Sequence, residues 1–361
     1  MPLKQQEKNN SSLLQIVFDG ERMKYPNTGL FAFCKFLGAA LLQRKEIATT
    51  IYQDINASSV WMNRPKILEK KFWHKWWMPN LNQYHLWHAT YQGTNYFPFS
   101  FKGKILLTIH DINFMHENKS DKKKEKYLAK LQKKIDRADA LSFISKYVYD
   151  DVSSHLDIAG KKYQVIYNGC NSLQEVIAIQ PKFIQEEVPF LFSIGTIHEK
   201  KNFDVLLPMM QHNNYKLIIA GTIVQPSYYE HLTTQIQNLG LQDRVILSGP
   251  ISEGEKKWLY THTRAFLFPS KAEGFGMPVI EAMECGACCV LSTFTCLPEI
   301  GKSYAAYFNN FDPAGMANVV ETTIQQWTHS KKAEAKQHAA SFQWNEVAAE
   351  YTQLYQELLA S

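Results

Sequence analysis

Short apolar runs closed by turn residues recur along the chain: LLQIVFDG, KILLTIHD, ALSFIS and YQVIYNG in the first half, then FLFSIG, YKLIIAG, RVILSG and AFLFPS in the second. Apolar runs without strict alternation suit strands buried on both faces, as in parallel sheets. Segments of helical period lie between them. Leu128, Leu131, Ile135 and Ala138, for instance, recur at three- and four-residue steps ahead of ALSFIS. Alternating strand and helix predicts α/β domains with parallel sheets, whose ligands sit beyond the carboxyl ends of the strands.

The rhythm breaks over NSLQEVIAIQPKFIQEEVP, residues 171–189, where prolines and polar residues leave no clean period. This is the predicted linker. With 361 residues the chain is long for one core, and each side of the linker carries its own strand series. Domains are expected at residues 1–175 and 176–341. A final amphipathic helix over 342–361 carries Trp344, Val347, Tyr351, Leu354 and Leu358 on one face.

Composition narrows the class. No stretch approaches the roughly 18 consecutive apolar residues of a membrane-spanning helix. The polar start MPLKQQEKNNSS resembles no signal peptide, so a cytoplasmic protein is expected, with the inner face of the membrane as a second station. Six cysteines, scattered or crowded near residue 288, suit reduced thiols better than a disulfide framework. Cys285 and Cys288 form a C-x-x-C without a second ligand pair nearby, which argues against zinc. A formal net charge of +5 is mild, and no nucleic-acid partner is expected.

The densest chemistry lies in PSKAEGFGMPVIEAMECG, residues 269–286. Gly274, Gly276 and Pro278 forbid one helix from Glu273 to Glu281. Pro278 suits the first turn of a new helix and Gly286 its end, so Glu273 is placed in a loop and Glu281 about one turn inside the helix. The glycines leave backbone N–H groups open, the helix start favours phosphate, and carboxylates grip vicinal hydroxyls. A phosphorylated, hydroxyl-rich molecule fits. The plainer alternative is a helix cap and an exposed loop acid.

The same stretch, followed by ACCVLST and LPEI and preceded by SIGTIHEKKNFDVLL, YKLIIAG, LQDRVILSGPIS and WLYTHTRAFLFPS, resembles family 4 retaining glycosyltransferases of the GT-B fold. The likeness covers nearly all of residues 188–325. It implies two Rossmann-like domains facing across a cleft, the first on the acceptor side, the second binding a nucleotide sugar, with the terminal helix returning to the first. Glu273 is then expected on hydroxyls of the donor sugar and Glu281 on the ribose. Gly274, Phe275 and Gly276 would offer backbone N–H groups to sugar and phosphate. Lys200 and Lys201 would hold the diphosphate. Many members carry Arg after the glycine matching Gly195, whereas this chain has Thr196, so Lys200 must supply the second cation. No Asp-x-Asp lies near a strand end; fixed lysines replace a metal in this reading, and no cofactor is expected beyond the nucleotide-sugar donor.

The first half matches at scattered points. Gly29 corresponds to the glycine loop near the donor phosphates, and His110, directly after KILLTI, to a histidine at the donor sugar. Asp111 is expected to cap the next turn. Asn168 and Gly169 mark a structural crossing, and Tyr167 replaces a common proline without evident chemical consequence. The expected catalytic residues are therefore His110, Lys201 and Glu273.

Two segments bear on the acceptor. KILEKKFWHKWWMP, residues 66–79, places Leu68, Phe72, Trp73, Trp76 and Trp77 on one helical arc beside lysines. NKSDKKKEKYLAKLQKK, residues 118–134, joins many lysines to the apolar stripe above. Peripheral contact with an anionic membrane through both is an expectation, weighed against core packing and a solvated helix face. The resulting reading is a metal-independent, retaining hexosyltransferase using GDP-mannose or a UDP-sugar, with a glycan or lipid-linked glycan as acceptor, in cell-surface polysaccharide or lipopolysaccharide assembly. Alternatives are an epimerase or phosphorylase of the same fold, or a non-catalytic partner subunit.

Overall fold

The computed structural model describes residues 13–26, 28–55, 61, 65–117, 119–184 and 188–360. The polar start at 1–12, residue 118 of the lysine-rich run and residues 185–187 of the expected linker lie outside them.

Seven strands form the first sheet: β1 (Leu14–Asp19), β2 (Ile47–Gln53), β3 (Lys66–Glu69), β4 (Leu86–Ala89), β5 (Lys104–Ile109), β6 (Ala140–Phe143) and β7 (Lys162–Val165). Their order is β3-β2-β1-β4-β5-β6-β7. Six more form the second: β8 (Phe190–Ile194), β9 (Lys216–Ala220), β10 (Val245–Gly249), β11 (Ala265–Phe268), β12 (Cys289–Ser292) and β13 (Ala306–Phe308), ordered β10-β9-β8-β11-β12-β13. Among the described residues every strand pairing is parallel. Each sheet reverses its winding once, between β1 and β4 and between β8 and β11. A crevice opens at such a switch point, at the carboxyl ends of the strands.

The helices of the first sheet are α1 (Gly29–Leu41), α2 (Asp121–Arg137) and α3 (Lys146–His155). Those of the second are α4 (Leu206–Met209), α5 (Pro226–Asn238), α6 (Glu253–His262), α7 (Met277–Cys285), α8 (Leu297–Gly301), α9 (Pro313–Gln325) and α10 (His329–Ala339). The last helix, α11 (Trp344–Ala360), packs on α1 with Trp344, Val347, Tyr351, Leu354 and Leu358 buried among Phe18, Phe33 and Leu37. Polar bonds fix it as well. Tyr355 Oη lies 2.7 Å from His88 Nδ1 on β4, His88 Nε2 lies 2.7 Å from Thr108 Oγ1 on β5, and Tyr351 Oη donates to Ser142 Oγ on β6. Burial pushes the His88 imidazole down to about 3, so it bonds as a neutral ring.

The chain passes between the domains twice at one place. Cys170 N donates to Phe342 O at 2.7 Å, and a side chain at Gly169 would meet the Trp344 ring at 2.5 Å. Only glycine lets the two crossings lie so close.

One expected helix is absent. Residues 66–69 form edge strand β3, paired with β2 from Thr50↔Lys66 to Gln53↔Glu69, and residues 72–75 form a single 3-10 turn. Ile67 and Leu68 thus serve a sheet, and the helical arc over 66–79 does not exist. Its aromatic residues are not core either: Phe72, Trp73, Trp76 and Trp77 are exposed. The strands β2, β3, β4 and β13 are not legible in the sequence. Among the described residues no helix is long and apolar enough to cross a membrane.

Candidate active site

The second sheet's switch point is flanked by the turn after β8 and the loop after β11. Beyond β8, Gly195 leads to a 3-10 turn at Glu199–Lys201, started by His198, whose Nδ1 accepts from Lys200 N. A Cβ on Gly195 would stand 3.0 Å from Lys201 Cε, so the glycine leaves a track for the lysine side chain. Along it Lys201, itself buried, reaches Glu273 on the opposite loop, Nζ to Oε1 at 2.5 Å. Ser270 Oγ donates to the same oxygen at 2.7 Å. Both bonds fall on Oε1, which leaves Oε2 for another donor. The two loops are also joined through Lys200 O, which accepts from Lys271 N at 2.8 Å.

From Glu273 the chain turns into α7. Gly276 adopts φ 93°, a left-handed conformation, as the residue before the helix, Pro278 lies in its first turn and Gly286 ends it at φ 79°. The Phe275 ring is buried against Phe342, with ring centroids 5.7 Å apart, so only its backbone faces the loop's ligand side. Glu281 points away from Glu273 toward α6. Its Oε2 lies 3.1 Å from Lys256 Nζ and accepts from Tyr260 Oη at 3.4 Å. Burial raises the Glu281 carboxyl while the Lys256 ammonium pulls it back down. The two acids therefore have separate cationic partners and do not share a proton.

The first domain meets this loop at His110. A Cβ on Gly274 would come within 2.1 Å of His110 O, and Ser145 Oγ, at the start of α3, donates to Gly274 O at 2.8 Å. His110 follows β5, with its ring edge-on to Phe33 at 4.6 Å and Nε2 2.8 Å from Thr90 O. A carbonyl only accepts, so Nε2 carries the hydrogen. Burial depresses this imidazole to about 4, and the neutral ring presents Nδ1 as a free acceptor. Asp111 Oδ1 accepts from Asn113 N at 3.0 Å, the expected cap. Burial raises its carboxyl, and the Lys200 charge opposes that shift, so the Lys200 ammonium acts across the cleft on Asp111.

Gly29 begins α1 beyond β1, with Thr28 Oγ1 accepting from Phe31 N. It is exposed, and a Cβ there would find no protein atom within 4 Å. Lys201, Glu273, Gly274 and His110 thus form one contact group, with Lys200 within electrostatic reach. Glu281 and Gly29 stand apart from it. Ser145 and Glu299 were missed in the sequence, and Tyr167, judged inert there, bonds Glu299. Each depends on a contact between domains that no local pattern announces. All six cysteines are free thiols, and Cys285 and Cys288 hold no bridge.

Comparisons with known proteins follow the same lines. Residues 177–342 match the family model for glycosyl transferases group 1. The chain is 30% identical over 241 residues to the Escherichia coli serotype-specific mannosyltransferase WbdA, covering 62% of this chain but 29% of that protein. It therefore spans about three tenths of the length of that relative. With O-antigen chain mannosyltransferase B of Escherichia coli the identity is 24% over 285 residues, 74% of each chain. Among solved structures, sucrose-phosphate synthase from Thermosynechococcus elongatus superposes with a TM-score of 0.79 at 17% identity, covering 96% of this chain and 99% of that one. The Anabaena protein HepE in complex with UDP and glucose gives 0.74 at 18% identity, covering 95% and 100%. Both likenesses establish the GT-B fold.

Proposed function

We infer that this chain, which belongs to the group 1 glycosyltransferases through its second domain, is a retaining hexosyltransferase working from a nucleotide-diphosphate sugar onto a glycan or lipid-linked glycan. The contact between Lys201 and Glu273, closed over by His110, carries the reading. It gathers a cation, a carboxylate with one uncommitted oxygen and a neutral imidazole acceptor at one switch point. Mannose is the favoured sugar, because the relatives named above are mannosyltransferases. Assembly of a cell-surface polysaccharide is the matching context.

In this mechanism Glu273 Oε2 and His110 Nδ1 accept hydrogen bonds from sugar hydroxyls and fix the ring. Lys201 and Lys200 hold the diphosphate, with the open start of α1 at Gly29 approaching it. The bond from the anomeric carbon to the phosphate oxygen breaks as the acceptor oxygen bonds that carbon on the same face. The acceptor's proton passes to the departing phosphate oxygen. Negative charge grows on the leaving group, so preplaced lysines favour the transition state over the ground state. Glu281 grips the ribose through the oxygen that Lys256 and Tyr260 leave uncommitted.

A panel of GDP- and UDP-sugars, read by the unfolding midpoint, tests the donor. Ligand at about 100 times its Kd adds about 2.7 kcal/mol. One sugar nucleotide is expected to stand out, and proton NMR of the transferred product is expected to show retention. No shift with any sugar nucleotide, or an inverted linkage, overturns the reading.

A further inference from the structure

The aromatic residues after β3 form a fixed platform, since they are both exposed and anchored. Phe72, Trp73, Trp76 and Trp77 are 65, 46, 78 and 79% exposed. Their turn is anchored from beneath: His74 is buried, stacks on Tyr52 and bonds its hydroxyl at 3.1 Å, and Lys70 is buried in an ion pair with Asp54. Bulky apolar rings held outward on so short a segment lie poorly in water and suit a bilayer interface, where ring and headgroup meet.

The charge around them is mainly positive, the nearby acids Asp54 and Glu69 being ion-paired with Lys70 and Lys71. Lys75 is exposed within the turn itself. Lys75 Nζ lies over the Tyr96 ring, and Tyr96 belongs to a loop that Lys134 of α2 grips, donating to Gln92 O and Thr94 O at 2.6 Å. The aromatic turn and the lysine helix, separate in sequence, are thus joined through residues 92–99. From α2 the exposed Lys126, Lys130 and Lys133 extend the basic surface, while Leu131 and Ile135 face the core.

All strands of the sheet run the same way, so the turn after β3 stands at the carboxyl end, the end that bears His110. We propose that this turn, with α2, docks the first domain on an anionic bilayer at the mouth of the cleft, the bilayer being the source of a lipid-linked acceptor. The acceptor part rests on the transferase reading; the docking itself does not. Surface lysines draw the domain to anionic headgroups and the rings insert among them.

Sedimentation of the full chain with vesicles tests it. Binding is expected to vesicles of phosphatidylcholine with about 30 mol% phosphatidylglycerol and to be at least about tenfold weaker to phosphatidylcholine alone. The double variant Trp76→Ser, Trp77→Ser is expected to bind the anionic vesicles at least about tenfold more weakly. Its unfolding midpoint and its shift with nucleotide sugars should match wild type, because both rings contact mainly solvent. Wild type left in the supernatant, equal binding to the two vesicle types, or a double variant that sediments like wild type overturns the proposal. So does release of the protein from vesicles by a soluble acceptor glycan, which would assign the rings to sugar stacking. Absence of a nucleotide-sugar shift in wild type, with vesicle binding intact, refutes the transferase reading alone.

Discussion

Tyr167 donates its hydroxyl to Oε1 of Glu299 at 2.7 Å, and the pair belongs to different domains. Lys146 N and Tyr147 N, the first amides of α3, bond the same carboxylate at 2.7 and 2.9 Å. Glu299 on α8 therefore caps a helix of the other domain, where the helix dipole favours an anion. Glu299→Ala is expected to lower stability by about 2 kcal/mol and Tyr167→Phe by about 1 kcal/mol or less. Urea unfolding measures both. Small-angle scattering should show a larger radius of gyration for Glu299→Ala; an unchanged radius and stability would mean that the clasp does not hold the domains.

Two glycines of the cleft separate protein contact from ligand contact. At Gly274 a methyl group would strike His110 O, a backbone atom that cannot step aside unless the domains part. Gly274→Ala is expected to cut kcat/KM by at least about tenfold and to open the molecule in scattering. At Gly29 the same methyl group meets no protein atom. Gly29→Ala should leave stability unchanged or raise it by about 0.5 kcal/mol, since alanine is the better helix former. A higher KM for the donor without loss of stability would then report a phosphate beside α1, and unaltered kinetics would remove Gly29 from the site.

These contacts also explain what the sequence could disclose. Buried strands such as β8, β9 and β11 are continuous apolar runs because both faces are covered, and Pro278 and Gly286 bracket α7 by backbone chemistry alone. β4 was illegible because half of LWHA is aromatic or polar, and His88 becomes a core residue only when Tyr355 and Thr108 supply its bonds. Over residues 66–79 a helical arc and a strand followed by a turn share the same apolar positions, and pairing with β2 decides between them. Glu273 and Lys201 could be named from their motifs. Their contact depends on the order β8-β11, which brings two loops together from 72 residues apart.

The buried histidines impose an acid limit. His110 falls from the ordinary 6.5 to about 4, and His88 to about 3. As pH drops below the unfolded value, the unfolded chain binds protons that the folded chain refuses until the lower values. The unfolded state is then favoured, so stability present above about pH 6.5 is lost as pH falls toward 4. Asp19 works the other way. Burial lifts it from 3.8 to about 7, so it adds stability as pH falls through that window. His110→Asn is expected to reduce the slope of unfolding free energy between about pH 4.5 and 6.5 by about 1.4 kcal/mol per pH unit, one proton's share. An identical slope in the variant would mean that His110 titrates normally.

Coupling between Lys201 and Glu273 yields the sharpest kinetic expectation. Were the lysine to act only on the diphosphate and the carboxylate only on the sugar, their losses would multiply. The 2.5 Å bond makes each the support of the other: Glu273 aims the ammonium, and Lys201 turns Oε2 toward the sugar by occupying Oε1. Lys201→Ala and Glu273→Ala are each expected to lower kcat by about 100-fold or more, and the double variant by far less than the product of the two. Each single variant also leaves one buried charge without its partner, at a cost to stability of about 3 kcal/mol that the double variant partly recovers. Glu273→Gln keeps an acceptor for Ser270 but loses the charge facing Lys201, so it should retain more stability than Glu273→Ala while losing comparable turnover. Strictly multiplicative losses in the cycle, measured at saturating donor, would show that the contact is a by-product of packing and that the two residues act independently.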